Sequence, residues 1–361
     1  MCLMRKAKIA ALTSVLFLVM IAGYLWQAGF LAPKAELPPG PPEKITISTL
    51  PIFPAALLFI AQEKGYFRAN GLEVVIQPFE TGRICLDYLQ AGRVDVGFMA
   101  DFVFLDEIFK GSQPLRILGS PAAVEFIHLL ALKDRGVLQP SDLKGKRVGV
   151  ARSTVAEFFL GRFLTFNNLS LGEVKVTYLN PSEMAAALAN NRVDAVMVWN
   201  PVTYEIKSQL GEKIISWPGQ TGQKFYEVLV STDKFIRSNS RALEKLFRAL
   251  AQAENFIKNN RAESQDIVAK QINLDKSVFK DDWLKSDLEL SFDQSLLITM
   301  EDEARWMIQN RLTDRTEVPN YLNYFYPGPL LQVDPKAVRL IMPGGASAGL
   351  PGQADPGQER R

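Results

Sequence analysis

The sequence predicts an α/β protein built as two similar parallel-sheet lobes, joined by two crossovers, with C-terminal helices packed on the first lobe. Three observations predict it. Leu86–Met99 (LDYLQAGRVDVGFM) and Ala185–Val198 (AAALANNRVDAVMV) repeat one pattern, with Arg93, Val94 and Asp95 matched by Arg192, Val193 and Asp194, each 99 positions on. Strand and helix patterns alternate around each copy, which implies parallel strands linked by right-handed crossovers. The length of 361 residues leaves room for about two domains of ordinary size beside a terminal segment.

Each copy reads strand, helix, strand, helix, strand. In the first, Ile45–Leu50 is a strand, a Pro-bounded loop follows, and a helix runs near Ala55–Lys64. Asn70-Gly71-Leu72 then precedes a strand over Glu73–Phe79. In the second, Arg147–Ala151 is the strand, Ser153-Thr154 the loop and Val155–Phe166 the helix, with Asn167-Asn168-Leu169 before a strand over Val174–Leu179. Inside the repeated pattern each helix ends on Gly92 or Asn191, residue types that tolerate left-handed backbone. Arg-Val-Asp then opens a short apolar run of strand type, so the repeated charges mark a helix stop and a strand start. Two copies this long do not make a solenoid.

Beyond the second copy, Glu227–Ser231 is a further strand. Ser240–Asn259 is a helix with Ser240 as N-cap and Leu243, Leu246, Phe247, Leu250, Phe256 and Ile257 at helical spacing. Ala262–Gln271 and Ser295–Gln309 continue the helical character, with Met300, Trp306 and Met307 as core residues. The crossings between lobes fall near Ala131–Lys133 and Tyr226–Ser231. The chain then divides into a first lobe over 44–131, a second over 132–227, and a return to the first over 228–342.

The N-terminus carries a membrane signal. Arg5, Lys6 and Lys8 precede an apolar stretch from Ile9 to about Ala32, long enough to cross a bilayer, so residues 1–32 read as an anchor or signal. Neither Ala28 nor Ala32 offers a good cleavage site, which favours an uncleaved anchor over a cleaved secretion signal. The Pro-rich stretch 33–43 reads as a semi-rigid spacer, and 343–361 as a disordered tail. The body is expected on the outer face of the cytoplasmic membrane or in the periplasm, as a monomer.

Composition excludes several classes. Net charge is +2 with no dense basic block after the N-terminus, so nucleic-acid binding has no electrostatic footprint. The single His128 sits in an apolar run and has no partners at metal-ligand spacing, so no metal, cofactor or catalytic residue is expected. Of the two cysteines, Cys2 lies in the anchor and Cys85 in a helix, where it reads as a small core residue.

Several motifs in order resemble a family. They are Phe59–Val74 (FIAQEKGYFRANGLEV), Gln90–Gly97, Asp142–Val150, Asn191–Ala195 followed by Trp199-Asn200-Pro201, and the helical return Val228–Asn260. Over roughly Lys44 to Met342 the chain resembles the solute-binding proteins of ABC importers, in the nitrate, sulfonate, taurine and thiamine-precursor binding group. The resemblance implies two α/β lobes, a small-molecule ligand in the cleft, hinge closure on binding, and partnership with ABC permease and ATPase subunits.

Ligands of open parallel sheets bind beyond the carboxyl ends of the strands. That rule selects Phe53, Thr81 and Gly82, then Asp101 and Phe102 after the first repeated strand, Trp199 and Asn200 after the second, and Ser153 and Thr154 before a helix. Glu125 and Phe225 complete the candidate set. Ser153 and Thr154 suit an anionic oxygen or are a plain N-cap. Trp199 offers a flat wall or an indole donor, or else packs between the lobes. Asp101 repels an oxyanion and welcomes an amino or other cationic donor, or else caps the helix that follows. The group commonly has a small hydroxyl residue there, so Asp101 is a departure. Two other classes stay open: an enzyme on the same fold, although the relevant synthases use a cysteine-rich motif and histidines that this chain lacks, and a membrane-tethered ligand sensor.

Overall fold

The computed structural model describes residues 41–111 and 114–341. The expected anchor over 1–32, most of the spacer over 33–43 and the tail over 343–361 lie outside the described residues. Among the described residues no helix is long and apolar enough to cross a membrane.

The α/β reading holds, and the strands form two five-stranded sheets of one topology. The first sheet has the order β2-β1-β3-β10-β4, from β1 (Glu43–Thr49), β2 (Leu72–Pro78), β3 (Val96–Ala100), β4 (Leu115–Val124) and β10 (Phe225–Thr232). The second has the order β7-β6-β8-β5-β9, from β5 (Ile127–Leu132), β6 (Arg147–Val150), β7 (Lys175–Tyr178), β8 (Ala195–Trp199) and β9 (Ile214–Pro218). The three strands of each repeated copy, β2-β1-β3 and β7-β6-β8, pair in parallel. The sheets are not purely parallel, however: β10 runs antiparallel to β3, and β5 antiparallel to β8. Each antiparallel strand reaches its sheet directly from the other lobe, so each crossover ends by inserting a strand beside the third strand of the copy it enters.

The crossovers therefore lie at Glu125-Phe126, between β4 and β5, and over 219–224, between β9 and β10. They do not lie at Ala131–Lys133 and Tyr226–Ser231. The run from Leu115 to Leu132 is almost unbroken strand and mostly buried, so composition does not mark where the chain changes sheets.

The longer helices are α1 (Ala56–Glu63), α2 (Gly82–Gln90), α3 (Asp101–Lys110), α4 (Val155–Phe166), α5 (Pro181–Ala189), α6 (Val202–Leu210), α7 (Ser240–Asn259), α8 (Arg261–Ile272) and α9 (Gln294–Gln309). Asn239 rather than Ser240 is the N-cap of α7. The repeated helix stops are confirmed, with φ of +65° at Gly92 and +54° at Asn191.

The repeated aspartates have one structural task in both copies. Asp95 N–H donates to the Thr46 carbonyl at 2.8 Å, and its carboxylate accepts the Thr46 N–H at 2.7 Å. Asp194 N–H donates to the Arg147 carbonyl at 2.8 Å, and its carboxylate accepts the Arg147 N–H at 2.9 Å. Each aspartate thus fastens the start of the third strand to the start of the first. A short acceptor is required because the backbone groups it serves precede regular pairing. In the second copy the Arg147 guanidinium also grips Asp194, at 2.7 and 3.1 Å. Burial opposes that charge, but the Arg147 contacts prevail and hold the carboxyl below its usual range.

The C-terminal helices do not all stay on the first lobe. Helix α7 packs on α1. Helix α9 lies between α3 and α4, so it touches both lobes. Trp306 of α9 meets Phe158 of α4 edge-on at 5.3 Å, and Asp302 pairs with Arg162 at 2.8 Å. Asp282 accepts from Asn200 at 3.2 Å and faces His128 Nε2 at 3.7 Å, both in the second lobe. The apolar stripe of α9 is wide enough to bury against two neighbours, which spacing alone does not reveal.

Candidate functional site

A small cavity lies where the two lobes meet. Its walls are Leu50, Ile52 and Gly82, following β1 and β2; Ala100 and Val103, at the end of β3; Thr154 and Val155, following β6; Trp199, ending β8; and Phe126, Ile127, Phe225 and Glu227, where the crossovers enter their new sheets. Strand register explains the convergence. Ala100 is paired with Glu227 and Trp199 with Ile127, so the last residue of each third strand faces the head of the strand arriving from the other lobe. The space open to the centre of a water molecule is about 30 Å³. That is room for about two waters.

Of the candidate residues, Gly82, Thr154, Trp199 and Phe225 line this cavity. A Cβ on Gly82 would stand 3.0 Å from Met99 Cβ, so the close approach of this loop to β3 needs glycine. The others lie beside or behind the wall. Thr81 caps α2, its hydroxyl accepting the Ile84 N–H at 3.3 Å. Phe53 packs edge-on against Phe126 at 5.3 Å and stacks on Phe279 at 5.8 Å. Asn200 reaches away to Asp282. Glu125 is half-buried in the first crossover. Phe102 and Ser153 line a separate, more open pocket together with Asp106, Lys110, Arg152, Glu157, Tyr178 and Arg311.

Asp101 is fully buried, and both of its carboxyl oxygens have backbone partners: the Phe102 N–H at 2.9 Å and the Tyr226 N–H at 3.0 Å. It ties the start of α3 to β10 rather than lining the cavity. Burial pushes its carboxyl up to about 7 even with those donors. The acid on the wall is Glu227, which sequence reasoning placed at the head of a strand and gave no role. Its side chain is buried, its Oε2 has no hydrogen-bond partner, and burial followed by the neighbouring Asp101 raises its carboxyl well above the usual range. The available signal was one acid in an otherwise apolar strand, Phe225-Tyr-Glu-Val-Leu-Val.

The turn at Ser153-Thr154 is held from within. Ser153, at φ +54°, donates its N–H to Glu157 Oε2 at 2.9 Å, and the Thr154 hydroxyl donates to the Ala151 carbonyl at 2.8 Å, so Thr154 is the N-cap of α4 by position but makes no side-chain cap bond. Glu157 also accepts the Tyr178 hydroxyl at 2.6 Å. An anion arriving at this helix end would have the Glu157 carboxyl, in the first turn of α4, close by.

Gln220 was not legible in the sequence and holds the two crossovers together. Its Oε1 accepts the N–H groups of Phe126 (2.8 Å) and Ile127 (3.0 Å), and its Nε2 donates to the carbonyls of Val124 (3.2 Å) and Gln223 (2.8 Å). On the far side of the cleft Glu80 Oε1 accepts the Ser182 N–H at 2.5 Å, so an acid of the first lobe sits on the N-terminus of α5 in the second.

Comparison with known proteins agrees with this architecture. A candidate binding protein of Brucella abortus strain 2308 is 28% identical over 229 residues, covering 60% of this chain and 68% of that protein. The solved alkanesulfonate-binding protein SsuA of Xanthomonas axonopodis pv. citri, bound to MOPS, shares the fold with a TM-score of 0.65 at 20% identity, over 76% of this chain and 96% of that one. The desulfurization enzyme DSZB shares it too, with a TM-score of 0.64 at 17% identity, over 81% and 98%. The fold thus serves both binding and catalysis. The NMT1/THI5-like profile matches residues 53–264, more than half of the sequence, and the chain belongs to that family.

Proposed function

We propose that the protein is an extracytoplasmic solute receptor, which closes its two lobes on a small organic molecule and passes it to the permease and ATPase of an ABC importer. The observation that carries this reading is the cavity itself, walled by strand ends of both lobes and by both crossovers. With about 30 Å³ of free space the lobes are shut, and a solute of ordinary size needs several hundred Å³. Entry therefore requires the lobes to part about Glu125-Phe126 and the segment 219–224, the two places where the chain passes between sheets. The walls are mainly apolar and aromatic, which suits an apolar or ring-bearing solute. The relative named as a binding protein and the fold shared with a sulfonate receptor support the same role.

Catalysis on the solute has little to draw on in this cavity. The Thr154 hydroxyl is engaged with a carbonyl, and burial pushes the Cys85 thiol up to about 12, far from a reactive thiolate. The test combines thermal-shift screening of sulfonates, amino acids, pyrimidines, polyamines and aromatic acids with small-angle scattering. A receptor gains stability with its solute by mass action and keeps or adopts the closed dimensions. Turnover of a bound compound, detected as a changed mass, would count against a receptor and for an enzyme.

A further inference from the structure

Three carboxyl groups are buried together at the cleft: Asp101, Glu227 and Glu303 of α9. Asp101 has backbone partners on both oxygens. Glu303 has none on either oxygen, and Glu227 has none on Oε2. Of the three, only Glu227 forms part of the cavity wall. An acid with an unused oxygen, on a residue 3% exposed that forms part of a cavity wall, is placed for a donor that comes from outside the chain.

The chemistry of the walls restricts that donor. No lysine, arginine or histidine is among the residues lining the cavity. The helix end that favours an anion carries an acid of its own in the first turn, Glu157. A sulfonate or nitrate would find no positive charge on the wall, whereas a cation can displace the Glu227 proton and keep the resulting carboxylate as its acceptor. Phe126, Trp199 and Phe225 supply apolar faces for the rest of the molecule, and an indole face adds attraction for a cation.

We propose that the cleft selects solutes carrying a cationic N–H head, an ammonium or amidinium on an apolar or aromatic body, and that the Glu227 carboxyl receives that head and determines specificity. This rests on the receptor reading above. Glu227 ionises as the cation arrives, and its proton passes to solvent, so the cleft exchanges one proton for one cation. The groups facing Glu227 are Asp101 and the Cys85 thiol. Glu303 faces Asp101, with Asp302, Arg162 and Tyr321 around it. Arg162, the one cation in this group, is engaged with Asp302.

The experiment is calorimetry and thermal shift on the full chain with benzamidine, benzylamine, benzyl alcohol and benzenesulfonate, on the wild type and on Glu227→Gln. Benzamidine or benzylamine is expected to bind the wild type and to bind Glu227→Gln at least tenfold more weakly. Repeating the wild-type titration at pH 6 in buffers of different ionisation enthalpy is expected to report about one proton released. That measurement decides alone if the variant does not fold. Preference for benzenesulfonate or benzyl alcohol, equal benzamidine affinity in both proteins, or no proton release overturns the proposal and leaves the receptor reading standing. Binding of none of the four overturns the proposal, while the receptor reading is decided by the broader screen above.

Discussion

Glu303→Gln tests whether the carboxyls behind the cleft are neutral in the folded protein. Glu303 is fully buried, neither oxygen has a hydrogen-bond partner, and burial followed by the nearby Asp101 and Asp302 raises its carboxyl well above the ordinary 4.5, against a smaller opposing pull from Arg162. A carboxyl raised in the folded state contributes stability that is complete below its unfolded value and is lost as pH rises toward the folded one. Between the ordinary carboxyl value and the raised one, the unfolded chain has released this proton and the folded chain keeps it. Within that window each retained proton lowers stability by about 1.4 kcal/mol per pH unit. Glutamine has the same shape and no proton to keep. Urea unfolding at pH 5, 6 and 7 should therefore show the variant gaining on the wild type as pH rises, by up to about 1.4 kcal/mol per pH unit. Asp142, Glu173, Asp194 and Asp275 are shifted downward, so their contributions are lost only as pH falls below the ordinary carboxyl range, outside this window. Parallel pH profiles for the two proteins would show that Glu303 is ionised in the fold, and the account of the carboxyl cluster would fail with it.

The remaining predictions concern the hinge, the repeat and closure. Gln220→Ala strands four backbone partners, three of them in buried bonds, and should cost about 3 kcal/mol in urea unfolding; a loss below about 1 kcal/mol would mean that water replaces the amide. Asp194→Ala should cost about 2–3 kcal/mol and Asp95→Ala about 1 kcal/mol, because the second copy adds the Arg147 guanidinium to the shared backbone clasp; the reverse ranking counts against that explanation. Glu80→Ala removes an acid from the N-terminus of α5, worth up to about 1 kcal/mol. It should weaken solute affinity severalfold by calorimetry and raise the radius of gyration in scattering, and unchanged values in both would show that this contact does not hold the lobes shut.

Local pattern was enough for most elements. Helix Val155–Phe166 and helix Ser240–Asn259 occur at the bounds their periodicity predicts, and the helix stops at Gly92 and Asn191 are where left-handed backbone occurs. These features depend on residues a few positions apart. The crossings were misplaced because a buried strand of one sheet runs almost directly into a buried strand of the other. Pairing partners, not composition, distinguish them.

The candidate site was legible in part for the same reason. The rule that ligands lie beyond strand ends selected loops that meet at the cavity, and Gly82, Thr154, Trp199 and Phe225 line it. It could not say which residue of a loop faces inward. Asp101 was the conspicuous acid, yet its oxygens are claimed by N–H groups of its own helix and of Tyr226, a residue 125 positions away. Glu227 was inconspicuous, yet the ladder that pairs it with Ala100 brings it to the cavity wall.

By itself the sequence determined that this is a duplicated α/β chain with aspartates at both strand starts, because helix stops, strand periodicity and capping are set by neighbours along the chain. Only the tertiary structure decided that each lobe contributes an antiparallel strand to the other's sheet, that Gln220 joins the two crossovers, and that Glu227 rather than Asp101 is the acid of the cleft. Those outcomes depend on which groups, distant in sequence, meet and satisfy one another once water is excluded.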